Sequence, residues 1–182
     1  MKIRLAAPLE RNSIVDGPGL RAVIWTQGCP HKCRGCHNPI THDYNGGFLM
    51  DVDDLKKELD ELDLEVGVTL SGGDPFVQKE ACLEIAKYCH SKNLTVWCYT
   101  GYTFEELIKL SENEPIIIDL LKEIDVLVDG RFILSQKSME VKFRGSKNQR
   151  LIKAKESIKK NEIILLQEEK ETITKKEKGI FI

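Results

Sequence analysis

Apolar positions recur along the chain with two different periods, and the switches between them outline alternating strands and helices. Arg21 to Thr26 (RAVIWT) is dense in apolar and β-branched residues and predicts a buried strand. In DVDDLKKELDEL, Leu55, Leu59 and Leu62 recur at helical spacing behind Asp51, a residue suited to an N-cap, with acidic residues in the first turn. Val66 to Leu70 (VGVTL) predicts a second strand, ended by Ser71-Gly72-Gly73-Asp74-Pro75, and Val77 to Lys92 a second helix stopped by Asn93. Leu94 to Tyr99 predicts a third strand. Thr103 caps a helix through Leu110, Pro115 opens another through about Glu123, and Asp125 to Val128 (DVLV) predicts a fourth strand. Arg150 to Ile152 and Ile163 to Leu166 are expected as further strands, with a short helix between them.

Strands that alternate with helices predict an α/β fold with a parallel sheet and right-handed crossovers, either open or curled into part of a barrel. In both forms the loops at the C-terminal ends of the strands build the site. Four unusual loops fall there: a cysteine-rich loop after the first strand, SGGDP after the second, Thr100-Gly101-Tyr102 after the third and Asp129-Gly130-Arg131 after the fourth. Their convergence on one rim argues for an enzyme.

Charge and length narrow the partners. The 182 residues carry 27 Lys+Arg against 29 Asp+Glu, a formal net charge of −2, which leaves no electrostatic footprint for nucleic acid or anionic lipid. With 41% hydrophobic residues, one domain and one core are expected, from residue 1 to 182. No apolar run reaches the roughly 18 residues of a membrane helix, and MKIRLAAPLE lacks the apolar centre of a signal peptide, so a cytoplasmic protein is expected.

In that compartment the six cysteines are thiols, metal ligands or redox groups before they are disulfides. Cys29, Cys33 and Cys36 form a C-x3-C-x2-C loop that is able to aim three sulfurs at one point, whereas Cys82, Cys89 and Cys98 lie in apolar periodic segments and read as core. Three free surface thiols would be reactive, which disfavours a loop without a ligand. A structural zinc site is the competing assignment, with His31 or His37 as fourth ligand, although such sites more often join two separated ligand pairs. An iron-sulfur cluster suits thiolates equally well, and three local cysteines leave one iron open unless a distant cysteine reaches it.

The C-x3-C-x2-C loop followed by the Gly-Gly-acid-Pro turn resembles the radical S-adenosylmethionine superfamily. The ordered set DGPGLRAVIWTQGCPHKCRGCHNP, LSGGDP, YTGYT, VLVDGRF and FRGSKNQR resembles, more narrowly, the activating enzymes of anaerobic, glycyl-radical ribonucleotide reductases, over about residues 10 to 152. The resemblance implies a partial (β/α) barrel with outer helices, with residues 153–182 as a variable C-terminal part. It implies that Cys29, Cys33 and Cys36 hold a 4Fe-4S cluster whose open iron is chelated by S-adenosylmethionine. It implies one-electron cleavage of that cofactor to a 5′-deoxyadenosyl radical, which would make the protein an oxidoreductase. The implied target is a glycine α-hydrogen in the large subunit of the reductase, with a flavodoxin or ferredoxin as electron donor. Another glycyl-radical enzyme or a small molecule such as a deazapurine precursor is the alternative target. A zinc- or cluster-bearing binding module without turnover is the reading from a different class.

Further residues gain expected roles beside the cysteine loop. Gly72 and Gly73 let the chain approach the methionyl group, where a Cβ would block it, with backbone carbonyls toward the ammonium. Asp74 stands where the superfamily more often has Glu. Gly35 stands where many members carry an aromatic residue, so backbone groups of Gly35, Cys36 and His37 are expected on the adenine. Thr100 is expected on the nucleoside, and Asp129 and Arg131 on the carboxylate or an associated cation, although an Asp-Gly pair is also an ordinary turn. Asp16-Gly17-Pro18-Gly19 is a turn that, by resemblance, lies near the entrance facing the partner. FRGSKNQR suits either a contact segment or a solvated loop, and Glu168 to Lys178 reads as a solvated face. His31, His42 and His90 receive no role.

Overall fold

The structure, a computed structural model, describes residues 1–167. The tail from Glu168 to Lys178 lies outside the described residues. Along the chain run β1 (Lys2–Leu5), β2 (Glu10–Ser13), β3 (Arg21–Thr26), β4 (Phe48–Asp51), α1 (Val52–Asp60), β5 (Gly67–Gly72), α2 (Lys79–Ser91) and β6 (Thr95–Tyr99). There follow α3 (Phe104–Ser111), α4 (Ile116–Glu123), β7 (Val126–Asp129), β8 (Arg150–Ile152) and α5 (Ala154–Lys160).

The four strands expected from their apolar runs form the parallel centre. β3 pairs with β5, placing Arg21 opposite Gly67 and Thr26 opposite Gly72; β5 pairs with β6, and β6 with β7. Antiparallel strands extend both flanks, giving the order β4-β1-β3-β5-β6-β7-β8 with β2 also on β3. The fold is therefore mixed α/β with a central parallel sheet, and the expectation of parallel pairing does not extend to the edges. Periodicity missed β1, β2 and β4 because each spans only four residues, and β2 (ERNS) and β4 (FLMD) are mostly exposed; backbone pairing defines them. Ile163 to Leu166 forms no strand but one bridge, Leu165 with Ile152, and an amide bond from Leu166 to the Leu151 carbonyl.

Alternation along the strands sorts the two faces of the sheet. Ala22 and Ile24, Val68 and Leu70, and Val96 and Cys98 join the core shared with the helices. Leu55 and Leu59 of α1 and Ile85 of α2 are fully or almost fully buried there, each contributing about 1.5–3 kcal/mol. Thr103 and Glu106 close a capping box on α3. Asp51 stands at the N-cap of α1 without a side-chain cap bond and is also the last residue of β4. On the opposite face Trp97, Val126, Val128 and Leu151 form a smaller apolar cluster.

Arg21 seals that face at the N-terminal ends of the strands. Fully buried, its guanidinium donates to the Thr69 hydroxyl at 2.8 Å and to the Val68 and Thr95 carbonyls at 2.7 and 3.0 Å. Burial lowers its pKa to about 10, and its charge rests 5.6 Å from the centre of the Trp97 ring. The opposite end of the sheet is left for the loops. Among the described residues, no helix is long and apolar enough to cross a membrane.

Candidate functional site

Parallel pairing brings the C-terminal ends of β3, β5, β6 and β7 to one side, where their loops enclose a cavity of about 320 Å³. Cys29, Cys33, Cys36 and His37 line it from the first loop, Ser71, Gly72 and Gly73 from the second, Thr100 and Gly101 from the third, and Gly130 and Phe132 from the fourth.

The Asn38 amide donates to Cys36 Sγ at 3.4 Å, and the backbone N–H groups of His31 and Lys32 at Cys29 and of Phe132 at Cys33 favour the thiolates. Burial pushes the Cys29 thiol up to about 11 and raises Cys33 as well; the amides and the Arg131 charge beside Cys33 act in the opposite direction. Among the described residues no three His, Cys, Asp or Glu side chains are arranged to hold a single metal ion. The three sulfurs instead share the wall of a cavity, and thiolates that accept amide hydrogen bonds are the donor set of an iron-sulfur cluster. These residues fit such a group. His31 Nε2 is taken by Asp74 at 2.7 Å, which leaves only Nδ1 of that ring to a ligand.

Packing also requires the glycine turn, whose two glycines line the cavity. A Cβ on Gly73 would lie 2.2 Å from the Gly28 carbonyl oxygen, and one on Gly72, where φ is +98°, 2.5 Å from that of Thr26. The turn is pressed against the root of the cysteine loop, to which the Asp74 amide donates at Gly28 O (2.8 Å). Gln78 reinforces the same root, donating to the Gln27 carbonyl at 3.0 Å.

Asp74 is fully buried and does not line the cavity. Its Oδ1 accepts from the Phe76 amide at 3.0 Å. Its Oδ2 meets His31 Nε2 and accepts from the Thr100 hydroxyl and the Gly101 amide at 2.9 and 3.0 Å, so one carboxylate joins three of the four loops. Sequence reasoning weighs His31 only as a zinc ligand; its pairing with Asp74 is the contact that such reasoning misses, and its place between Cys29 and Cys33 is the available signal.

At the fourth loop the structure departs from expectation. Asp129 is buried, accepts from the Phe104 amide at 2.8 Å and pairs with the Arg150 guanidinium, so its carboxylate is already satisfied and does not line the cavity. Arg150 also bonds Glu105 at 2.7 Å, and this hydrogen bond lowers the Glu105 carboxyl to about 2. Arg131 is exposed and outside the cavity wall; it reaches the site as a charge near Cys33. Gly35, at φ +77°, packs toward Leu134 and Phe132 rather than lining the cavity. FRGSKNQR is a strap: Asn148 and Gln149 donate to the Arg131 and Gly130 carbonyls at 2.9 and 3.0 Å. Tyr99 ties its other end by donating to the Phe143 carbonyl at 2.8 Å. Of the expected residues, then, Cys29, Cys33, Cys36, His37, Gly72, Gly73 and Thr100 meet at the cavity, while Gly35, Asp74, Asp129 and Arg131 stand behind or beside it.

Known proteins share this sequence pattern. A family model described as a 4Fe-4S single cluster domain matches residues 15–152. The chain is 34% identical over 145 residues to the anaerobic ribonucleoside-triphosphate reductase-activating protein of Enterobacteria phage T4, a match covering 75% of this chain and 86% of that protein. It is 36% identical to the protein of that name from Vibrio cholerae (75% and 89% covered) and 35% identical to the one from Escherichia coli K12 (75% and 90%).

Proposed function

The chain belongs to the family of anaerobic ribonucleoside-triphosphate reductase-activating proteins, with their 4Fe-4S single cluster domain, and from this premise we propose that it generates a glycyl radical on an anaerobic ribonucleotide reductase. The partner is the large subunit of that reductase, and the enzyme is a radical S-adenosylmethionine oxidoreductase of the cytoplasm. Its sheet is read as a partial barrel in one domain.

When bound, a reduced 4Fe-4S cluster supplies one electron to S-adenosylmethionine, whose cleavage to methionine and a 5′-deoxyadenosyl radical provides the hydrogen-abstracting group. Cys29, Cys33 and Cys36 would hold the cluster and would leave one iron for the amino and carboxylate groups of S-adenosylmethionine. The backbones of Gly72 and Gly73 border the cavity beside those sulfurs, where carbonyls suit an ammonium. His37 and Thr100 line the part assigned to the nucleoside. Loops from four strands enclose the cavity, which serves to hold the reactive group near one C–H bond and away from water. A flavodoxin or ferredoxin is the electron donor.

The observation that carries this reading is the set of three cysteines that line one cavity together with the glycine turn, with the Asn38 amide donating to Cys36 Sγ. Electron paramagnetic resonance tests it, on protein reconstituted anaerobically with iron and sulfide and reduced with dithionite. A reduced 4Fe-4S signal that changes on adding S-adenosylmethionine is expected. Protein that holds one zinc and no inorganic sulfide would instead be a binding module.

A further inference from the structure

His31 is confined within the cysteine loop. Its side chain is 3% exposed and contacts Asp74, itself fully buried, at 2.7 Å. Its ring stands edge-on to Tyr102 with centroids 4.5 Å apart. Gly101 closes the pocket: a Cβ there would lie 2.3 Å from the imidazole. An exposed loop histidine needs none of this.

The next residue explains what the grip restrains. Lys32 has φ +48°, a left-handed conformation that a lysine seldom adopts and that persists where surrounding contacts impose it. This turn follows Cys29 directly, and the backbone N–H groups of His31 and Lys32 favour the Cys29 thiolate, as successive amides do around an anion. Hydrogen bonds to the sulfurs of an iron-sulfur cluster stabilise its more negative, reduced form and so raise its potential.

We propose that His31 is a positioning residue: gripped by Asp74 and Tyr102, it holds the left-handed Lys32 turn that follows Cys29, and thereby raises the reduction potential of the cluster. The inference rests on the cluster reading above. Asp74 then acts at a distance from the cavity, coupling the loops that follow β5 and β6 to the electronic properties of the first ligand.

The test compares wild type, His31→Ala and His31→Gln, each reconstituted anaerobically, by iron and sulfide content and by a redox titration followed by electron paramagnetic resonance without S-adenosylmethionine. Glutamine is chosen because its Nε2 reaches about as far as the imidazole Nε2. The expected result is a cluster in His31→Ala that is harder to reduce, on the order of tenfold in the equilibrium constant or about 59 mV for one electron, with most of the shift recovered in His31→Gln. Cluster uptake by His31→Gln but not by His31→Ala supports the same grip. A wild-type potential in His31→Ala, an equal shift in both variants, or loss of the cluster from both overturns the proposal. A wild-type protein that takes up neither iron nor sulfide refutes the cluster reading itself.

Discussion

Cys29, Cys33 and Cys36 at the rim and Cys82, Cys89 and Cys98 in the core put the same side chain in two environments. The core cysteines lie on α2 and β6, fully buried in the apolar cluster that includes Ile85, Ala86 and Leu70. Burial pushes Cys89 up to about 12 and raises Cys82 and Cys98. Yet Cys29 is also largely buried, and its thiol is likewise pushed up, to about 11. Burial alone does not separate the sets. The rim adds a cavity with room for a ligand, lined by all three cysteines, while the core packs its thiols among apolar side chains. A thiolate ligand depends on that room, because binding must offset the cost of deprotonating a buried thiol.

The contrast is broken most directly by alanine at one cysteine of each set. Cys29→Ala should abolish iron and sulfide uptake and all activation of the reductase. Cys89→Ala should retain both and lose about 1 kcal/mol of stability, roughly one buried methylene, by denaturant titration. A cluster that survives in Cys29→Ala would remove the rim from the chemistry.

Gly73→Val probes how the rim is built. Its side chain would press on the Gly28 carbonyl beside Cys29, so weakened cluster uptake is expected together with weakened S-adenosylmethionine binding. Overpacking of this kind should cost about 1–3 kcal/mol in unfolding. Full cluster loading with loss of cofactor affinity alone would show that the glycine is needed for the ligand instead.

Asp129 and Arg131 separate support from surface within one loop. Asp129→Ala strands the buried Phe104 amide and removes a partner of Arg150, and should cost about 1–3 kcal/mol. Arg131→Ala, at an exposed position, should change stability by less than about 0.5 kcal/mol. Equal effects in thermal denaturation would contradict the assignment.

The smallest expected effect is a pH dependence at the same loop. Glu105, whose folded value is lowered to about 2 by Arg150, stabilises the fold fully above its unfolded value of about 4.3. That contribution is lost as pH falls through about 2. Because its side chain is 58% exposed, solvent screening should hold the contribution under about 1 kcal/mol. Glu105→Gln should flatten this part of the pH–stability curve, and an unchanged curve would show that the pair contributes nothing.

How far the molecule was legible depended on the range of the signal. Arg21 to Thr26, Val66 to Leu70 and the Thr103 cap announce themselves through neighbouring residues, because burial on one face and capping are local. β2 carries no such signal, since ERNS is held by backbone pairing with β3, to which side-chain pattern is nearly blind. The expected ligand roles of Asp74 and Asp129 show the same limit: each carboxylate is consumed by donors far away in sequence, Thr100 for one and Arg150 for the other.

By itself the sequence determined the central strands, the helices packed on them and the three clustered cysteines, because hydrophobic period, caps and short-range spacing are properties of a few adjacent residues. Tertiary structure alone decided that His31 meets Asp74, that Gly73 presses on Gly28, and that FRGSKNQR ties down the fourth loop. Those contacts join positions 19 to 45 residues apart, and only the parallel register of β3, β5, β6 and β7 and the return of β8 onto β7 bring them within bonding distance.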